Sequence, residues 1–173
     1  MITIEESGMN FGPFSVADCL ELEKCQTYNL IKTGVKMAEF AVIKQQGGLP
    51  VIWIVEAKSS APQPGNLQHF SLYIDEIRQK LTNALQLLFA GKLNRHPDWN
   101  ANLPANFRGL TFQEDFKLIL VIRGHLEEWL PPVQDELKLA LLATVKTMGL
   151  KPNAVVVIND QEATKQRLIT QVA

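Results

Sequence analysis

Two glutamates and a lysine lie on either side of a Gly-Gly pair in this 173-residue chain, at a spacing that could bring them together. Gly47 and Gly48 separate two runs rich in apolar and β-branched residues, a pattern that predicts an antiparallel hairpin. A turn centred between the two glycines places Glu39 opposite Glu56. Because side chains alternate between the faces of a strand, Glu39, Glu56 and Lys58 should share one face.

This arrangement favours a site for a divalent cation. Two carboxylates that face each other at roughly 5 Å between Cβ atoms repel by about 3 kcal/mol at an effective dielectric constant of about 20. Lys58 offsets one of the two charges. A cation held by two carboxylates and water would offset the rest, and this is how Mg²⁺ is usually bound. We therefore predict that Glu39 and Glu56 are ligands of Mg²⁺ (or Mn²⁺).

An acidic residue on one strand, followed by Glu-x-Lys at the end of the next, resembles the PD-(D/E)xK nuclease superfamily. The matching residues are Glu39 and the segment Val55-Glu56-Ala57-Lys58, and the likeness covers roughly residues 15–123. In this chain Ala38-Glu39 stands where the superfamily has Pro-Asp. The resemblance implies a restriction-endonuclease-like core and metal-dependent hydrolysis of a phosphodiester bond.

The resemblance also implies a role for each residue. Glu39 and Glu56 would hold the metal, while Lys58 would orient or help to deprotonate the attacking water and stabilise the pentavalent phosphate. The superfamily often has a glutamate on the first helix, and Glu23 matches it as a residue that acts behind the ligands or holds another ion. The implied partner is nucleic acid, with DNA favoured over RNA, and a homodimer or larger complex is one arrangement.

The surrounding pattern predicts a single α/β domain, residues 1–173, with a mixed central sheet that contains the antiparallel hairpin and is flanked by helices. We expect a weak strand over 1–8 before a turn at Gly12-Pro13. The remaining predicted elements are helices at 15–32, 67–90, 131–149 and 160–169, and strands at 35–44, 50–58, 116–123 and 154–158. The stretch 92–115, which is interrupted by Asn, Pro and Gly residues, is expected to be a long loop.

Composition limits the classes of function. The formal charge of −1 at pH 7 excludes nucleic-acid binding through overall basicity, so any such binding needs a local site. The apolar runs are too short to span a membrane, and the first residues lack the layout of a signal peptide. Cys19 and Cys25 form no metal-binding or disulfide pattern. We expect a cytoplasmic protein that does not act at a membrane.

Several alternatives remain open at this stage. The three charged residues could form an ordinary cross-strand salt bridge, or a one-residue shift of the hairpin could send Glu39 and Glu56 to opposite faces. Glu23 falls on the apolar stripe of its predicted helix, which a different helical phase would explain. The protein could also be a non-catalytic accessory or interaction domain on the same fold. The strand 154–158 could extend the sheet or pair across a dimer.

Other chemistry-bearing side chains have simpler interpretations. Arg78 and Lys80 follow two acids on the long helix, so we expect helix-surface ion pairs there. The histidines, which are His69, His96 and His125, are expected at the surface. Of the tryptophans, Trp53 should lie in the core, whereas Trp99 and Trp129 lie near loops, where packing is favoured over stacking on bases.

Overall fold

The computed structural model describes residues 1–170 and shows a mixed α/β architecture with two sheets. The strands are β1 (Ile2–Glu6), β2 (Met9–Phe14), β3 (Cys19–Glu21), β4 (Phe40–Gln46), β5 (Leu49–Lys58), β6 (Asp115–Ile122) and β7 (Val155–Asn159). The helices are α1 (Gln26–Ile31), α2 (Leu67–Lys92), α3 (Trp99–Asn102), α4 (Ala105–Gly109), α5 (Leu130–Thr147) and α6 (Asp160–Lys165), with a 3₁₀ turn at Glu127–Trp129.

The central sheet has five strands in the order β3-β4-β5-β6-β7. Strand β4 is antiparallel to its two neighbours, β3 and β5, whereas β6 and β7 continue the sheet in parallel with β5. This confirms the predicted mixed sheet with an antiparallel hairpin and flanking helices. The apolar strand predicted over 154–158 extends the sheet of its own chain.

Each face of the central sheet has its own apolar core. On one face, α2 and α5 pack residues such as Ile77, Leu81 and Leu137 against Ile52 and Ile54 of β5. The periodic apolar positions of α2 produce this contact, since residues three and four apart share one side of a helix. On the other face, side chains of the separate β1–β2 hairpin pack against β5. These side chains are Ile4, Met9, Phe11 and Phe14. Trp53 lies in this second core, as predicted.

The β4–β5 hairpin has the predicted register. Phe40 pairs with Val55, and Gln46 pairs with Leu49 directly across the turn. Gly47 and Gly48 have φ angles of 58° and 80°. A two-residue turn with both central residues at positive φ matches the right-handed twist of the strands, and glycine adopts it without strain. The alternative of a one-residue shift is therefore excluded.

The helix predicted over 15–32 is wrong. After a turn that follows Ser15, the chain forms the short edge strand β3, in which Leu20 pairs with Ala41 of β4. Helix α1 begins only at Gln26, after Cys25, whose sulfur accepts a hydrogen bond from the Tyr28 N–H at 3.4 Å. Strand pairing overrides the helical spacing of the apolar residues. Glu23 consequently lies in the turn between β3 and α1. Because this segment is not helical, Glu23 is not part of an apolar helical stripe.

Two other irregular regions differ from expectation. Gly12-Pro13, predicted as a turn, lies inside β2, and the reversal between β1 and β2 occurs at Ser7 and Gly8 instead. The stretch 92–115 is not a plain loop, because it contains α3 and α4. Buried Trp99 and Phe107 anchor these two short helices to the α2 side of the sheet.

The outer edge of β7 is covered by a side chain. Gln134 of α5 donates from its amide nitrogen to the Val155 carbonyl at 3.0 Å and accepts from the Val157 N–H at 2.7 Å. A side-chain amide therefore occupies the positions that a sixth strand would use. Exposed strand edges are templates for pairing with other chains, and this contact removes part of that template.

Within residues 1–170, no helix combines the length and the apolar character needed to cross a membrane.

Candidate active site

Glu39 and Glu56 are positioned by the backbone at the open end of the β4–β5 hairpin. Glu39 immediately precedes β4, and its N–H donates to the Val55 carbonyl at 3.1 Å. Its own carbonyl accepts from the Leu22 N–H at 3.0 Å, so the backbone is held from both neighbouring segments. Both side chains lie on the face covered by α2, as the alternation of the strands predicts.

Both carboxyl groups are buried, with Glu56 0% and Glu39 8% exposed. The pKa of Glu39 is raised to about 8, first by burial and then by the adjacent charge of Glu56, against the opposing effect of Lys80. Burial likewise raises the pKa of Glu56, although the ammonium groups of Lys80 and Lys58 oppose this shift. Buried carboxyl groups without full compensation are expensive, which makes this pair a candidate for a functional site.

Helix α2 brings a second lysine into the site. The Nζ of Lys80 lies 3.0 Å from Glu56 Oε1 and 3.3 Å from Glu39 Oε1. Burial by itself lowers the pKa of Lys80, but the carboxylates of Glu56 and Glu39 outweigh it, so the pKa is raised and the ammonium stays charged. The predicted helix-surface ion pair is wrong for Lys80, whereas Arg78 pairs with Asp75 at 2.7 Å as expected.

Lys58 joins the site from the last position of β5. Its Nζ lies 3.2 Å from Glu56 Oε1 and 2.7 Å from Glu76 Oε1 of α2. Burial lowers the pKa of Lys58, but the hydrogen bond to Glu76 and the charge of Glu56 outweigh it and raise the pKa overall. The cross-strand salt bridge considered from the sequence does not form in this way: Lys58 pairs with Glu56 of its own strand and with Glu76 of the helix, and among the ion pairs of residues 1–170 none joins Lys58 to Glu39.

Glu23 also reaches this cluster, from the turn before α1. Its Oε1 lies 3.6 Å from Lys80 Nζ, and its side chain is 39% exposed. The four residues predicted from the sequence are therefore gathered in one place, although Glu23 comes from a turn and not from a helix. We name this set, together with Glu76 and Lys80, the acidic cluster.

The acidic cluster has more acids than bases. Its four carboxyl groups, from Glu23, Glu39, Glu56 and Glu76, face two ammonium groups, so its formal charge is 2 − 4 = −2 with every group ionised and 2 − 3 = −1 while Glu39 keeps its proton below a pKa of about 8. An ordinary salt bridge leaves no such excess. The arrangement favours a further cation.

Some polar atoms of the cluster have no hydrogen bond. Neither oxygen of Glu56 has a hydrogen-bond partner, although the ammonium groups of Lys58 and Lys80 lie 3.2 Å and 3.0 Å from Oε1. The buried hydroxyl of Tyr73, on α2, also has no partner. Buried polar atoms in native proteins are normally satisfied, so exceptions indicate a function or a bound ion.

These observations bear on whether a divalent cation fits. Carboxylate oxygens are the ligands that Mg²⁺ prefers, and Oε2 of Glu56, which has neither a hydrogen bond nor an ion pair, could accept one. Within residues 1–170, there is no group of three or more His, Cys, Asp or Glu side chains that is close enough to hold a metal ion. Lys80 Nζ lies between the two buried carboxylates. The two carboxylates are of the right chemical type for the ion, but the position between them is taken by the ammonium of Lys80.

The remaining sequence predictions have mixed outcomes. His69 is exposed, whereas His96 and His125 are half-buried. Trp99 packs in the core as expected, at 2% exposure. The packing expected for Trp129 is wrong, because this side chain is 52% exposed and contacts His125 edge-on at 5.7 Å between ring centroids.

Comparison of the chain with protein-family models gives no match, and comparisons with curated proteins and with solved structures give no significant match either.

Proposed function

We propose that this protein hydrolyses phosphodiester bonds in nucleic acid with the help of Mg²⁺ or Mn²⁺, at the acidic cluster. The observation that carries the proposal is the pair of buried carboxylates, Glu39 and Glu56, which are set side by side among more acids than bases. Such a pair costs free energy in the folded protein unless a cation joins it.

The proposed fold is a restriction-endonuclease-like core. In support, a helix precedes the β4–β5 hairpin, a second helix follows it, and β6 then pairs in parallel with β5. This is the element order that the PD-(D/E)xK resemblance implies. The first helix is shorter than the resemblance suggests, since α1 spans only Gln26–Ile31.

Four residues of the acidic cluster have a role in this proposal. Glu39 and Glu56 hold the cation, and Glu23 holds water or a second ion at the more exposed side. The bound cation would supply Lewis-acid stabilisation of the negative charge that develops on the phosphate. Lys58 has a raised pKa, so we assign it to stabilising that charge and orienting water as an ammonium, and not to removing a proton.

Nucleic acid, with DNA favoured over RNA, is the proposed substrate, and a cytoplasmic setting agrees with two cysteines that form no disulfide. Because the chain carries a formal charge of only −1, substrate affinity must come from local contacts and not from overall basicity. A homodimer stays part of the proposal. Pairing through β7 is disfavoured, since Gln134 occupies its outer edge.

A cleavage assay tests the function. Single- and double-stranded DNA and RNA are incubated with the protein and with Mg²⁺ or Mn²⁺, and the products are resolved on denaturing gels. Glu56→Gln should abolish cleavage, and Lys58→Met should slow it by roughly 10²- to 10³-fold, the usual effect of removing one group that stabilises developing charge. Glu136→Gln, an exposed glutamate on α5, is the matched control. Metal-dependent cleavage that survives Glu56→Gln and Lys58→Met would remove this site from consideration.

A second candidate function has an observation in its favour. Lys80 Nζ already lies within 3.3 Å of both buried carboxylates. If this ammonium permanently replaces the metal, the protein is a non-catalytic accessory or interaction domain on the same fold. Calorimetry with Mn²⁺ separates the two functions, because a non-catalytic domain of this kind would bind no Mn²⁺ and would lose nothing in Glu39→Ala.

A further inference from the structure

Lys80 makes ion pairs that a lysine in its sequence position would not be expected to make. Glu76 lies one helical turn before it, the spacing at which glutamate and lysine pair on a helix surface. Among the ion pairs of residues 1–170 there is none between these two residues. Glu76 pairs with Lys58 at 2.7 Å, and Lys80 extends instead toward the sheet.

The Lys80 ammonium lies among carboxylates from three separate segments of the chain. Its Nζ is 3.0 Å from Glu56 on β5, 3.3 Å from Glu39 before β4 and 3.6 Å from Glu23 in the turn before α1. A single positive atom surrounded by three carboxylate oxygens has the environment of a bound cation. Lysine is suited to this position because its charge is compact and its four-carbon stem is flexible.

We propose that Lys80 is a tethered cation: it holds Glu39 and Glu56 in place in the metal-free protein and is displaced when a divalent ion binds between them. In this role Lys80 is a positioning residue. The inference rests on the proposed function, since it concerns the same metal site.

The surroundings of Lys80 permit this displacement. Its side chain is 14% exposed, and Glu23, its outermost partner, is 39% exposed. The ammonium can therefore move outward along Glu23 without crossing the core. The exchange also improves the charge balance. With Lys80 in place the acidic cluster has a formal charge of −2, whereas a divalent ion in its place gives 2 + 1 − 4 = −1, counting Lys58 and the four acids.

Calorimetric titration with Mn²⁺ tests the inference on three proteins, namely the natural chain, Lys80→Met and Lys58→Met. Both variants remove one nearby positive charge, but only Lys80→Met also vacates the position between the carboxylates. We expect Lys80→Met to bind Mn²⁺ at least about tenfold more tightly than the natural chain, which corresponds to about 1.4 kcal/mol. Lys58→Met should gain clearly less. Equal gains in the two variants, or no gain in either, would overturn the inference and leave the metal site intact.

A second measurement uses the natural chain and does not depend on the folding of a variant. The protein is treated briefly with an acetylating N-hydroxysuccinimide ester, with and without saturating Mg²⁺, and modified lysines are quantified by mass spectrometry. Acetylation of Lys80 should increase several-fold when Mg²⁺ is present. Lys138, an exposed residue of α5, should be modified equally in both samples and serves as the control. An unchanged rate at Lys80 under saturating Mg²⁺ would contradict displacement.

Two further results decide between this inference and the proposed function. If Lys80→Met binds Mn²⁺ and the natural chain does not, Lys80 is never displaced, which overturns the inference and favours the non-catalytic domain. If neither protein binds Mn²⁺, the metal site itself is lost, and the proposed function fails together with the inference.

Discussion

The Nζ of Lys80 lies 3.0 Å from the Oε1 of Glu56, a carboxylate with no exposed surface. The helix that carries the lysine and the central strand that carries the glutamate thus meet in a buried ion pair. A buried carboxylate can be kept in a fold when a positive group lies beside it, but the pair seldom adds net stability. The Lys80–Glu56 ion pair lies at the end of the hairpin beside a second buried acid, Glu39. A contribution to folding stability does not account for this placement, which therefore supports a functional role for the pair.

The stability of the metal-free protein should fall as the pH rises. The pKa of Glu39 is raised from 4.5 to about 8 in the folded protein, mainly by burial. Between these values the folded state retains a proton that the unfolded state has lost, so the contribution is complete below pH 4.5 and disappears as the pH passes through 8. Urea denaturation at pH 5, 7 and 9 in the presence of EDTA measures this. Glu39→Gln should flatten the dependence, and a natural chain whose stability rises across this range would contradict the assignment.

Tyr73→Phe should leave the stability unchanged or raise it slightly. The hydroxyl of Tyr73 is buried and has no hydrogen-bond partner, so its removal eliminates a desolvation cost of about 1–3 kcal/mol and sacrifices no bond. Its pKa is raised by burial and by the charges of Glu56 and Glu76. Denaturation midpoints of the two proteins provide the comparison. A loss of more than about 1 kcal/mol would mean that the hydroxyl is satisfied in solution.

Gly91→Ala should destabilise the protein, although alanine is the better helix former by about 1 kcal/mol. A Cβ at position 91 would overlap the indole ring of Trp99, which packs against this part of α2. Overpacking of this kind typically costs about 1–3 kcal/mol, which for a chain of this size lowers the melting temperature by several degrees. Gly109→Ala is the matched control, because nothing lies within 4 Å of its Cβ position. Equal melting temperatures for the two variants would show that the Trp99 ring moves aside without cost.

Gln134→Met should uncover the outer edge of β7. The change retains the length of the side chain and removes both hydrogen bonds, to the Val155 carbonyl and from the Val157 N–H. We expect a loss of about 1–3 kcal/mol and a concentration-dependent tendency to associate through the free edge. Light scattering after size-exclusion chromatography measures the association, with Gln79→Met on α2 as the comparison. A variant that stays in the oligomeric state of the natural chain at all concentrations would show that other features protect this edge.

The predictable part of the site is the part that depends on local geometry. Glu39 and Glu56 could be paired from the sequence because a two-residue turn fixes which residues of a hairpin face each other. The position of Lys80 could not be predicted in this way. Lys80 lies more than twenty residues after Glu56, and its place in the site depends on how α2 packs on the sheet. From the sequence, an ion pair with Asp75 or Glu76 on the same helix was the simpler expectation for Lys80. In the fold, Lys80 pairs instead with glutamates from other segments.

The same distinction explains the error in the N-terminal third. Val16, Leu20 and Thr27 follow a helical spacing. Leu20 nevertheless belongs to β3, a short strand that is formed by pairing with the edge of β4. Tertiary pairing of this kind is invisible in a short window of sequence. Long apolar segments whose pattern and partners agree, such as those of α2 and β6, lie within a few residues of the bounds that the sequence predicts.

The central position of β5 has a consequence for motion. This strand is hydrogen-bonded to β4 on one side and to β6 on the other, so exposing its amides to solvent requires both ladders to open. Its backbone should therefore be among the slowest in the protein to exchange hydrogen with water. Glu56 is fixed to this rigid strand, whereas the groups that neutralise it are carried on long side chains. Any adjustment to a ligand must come from those side chains, while the strand beneath them stays still.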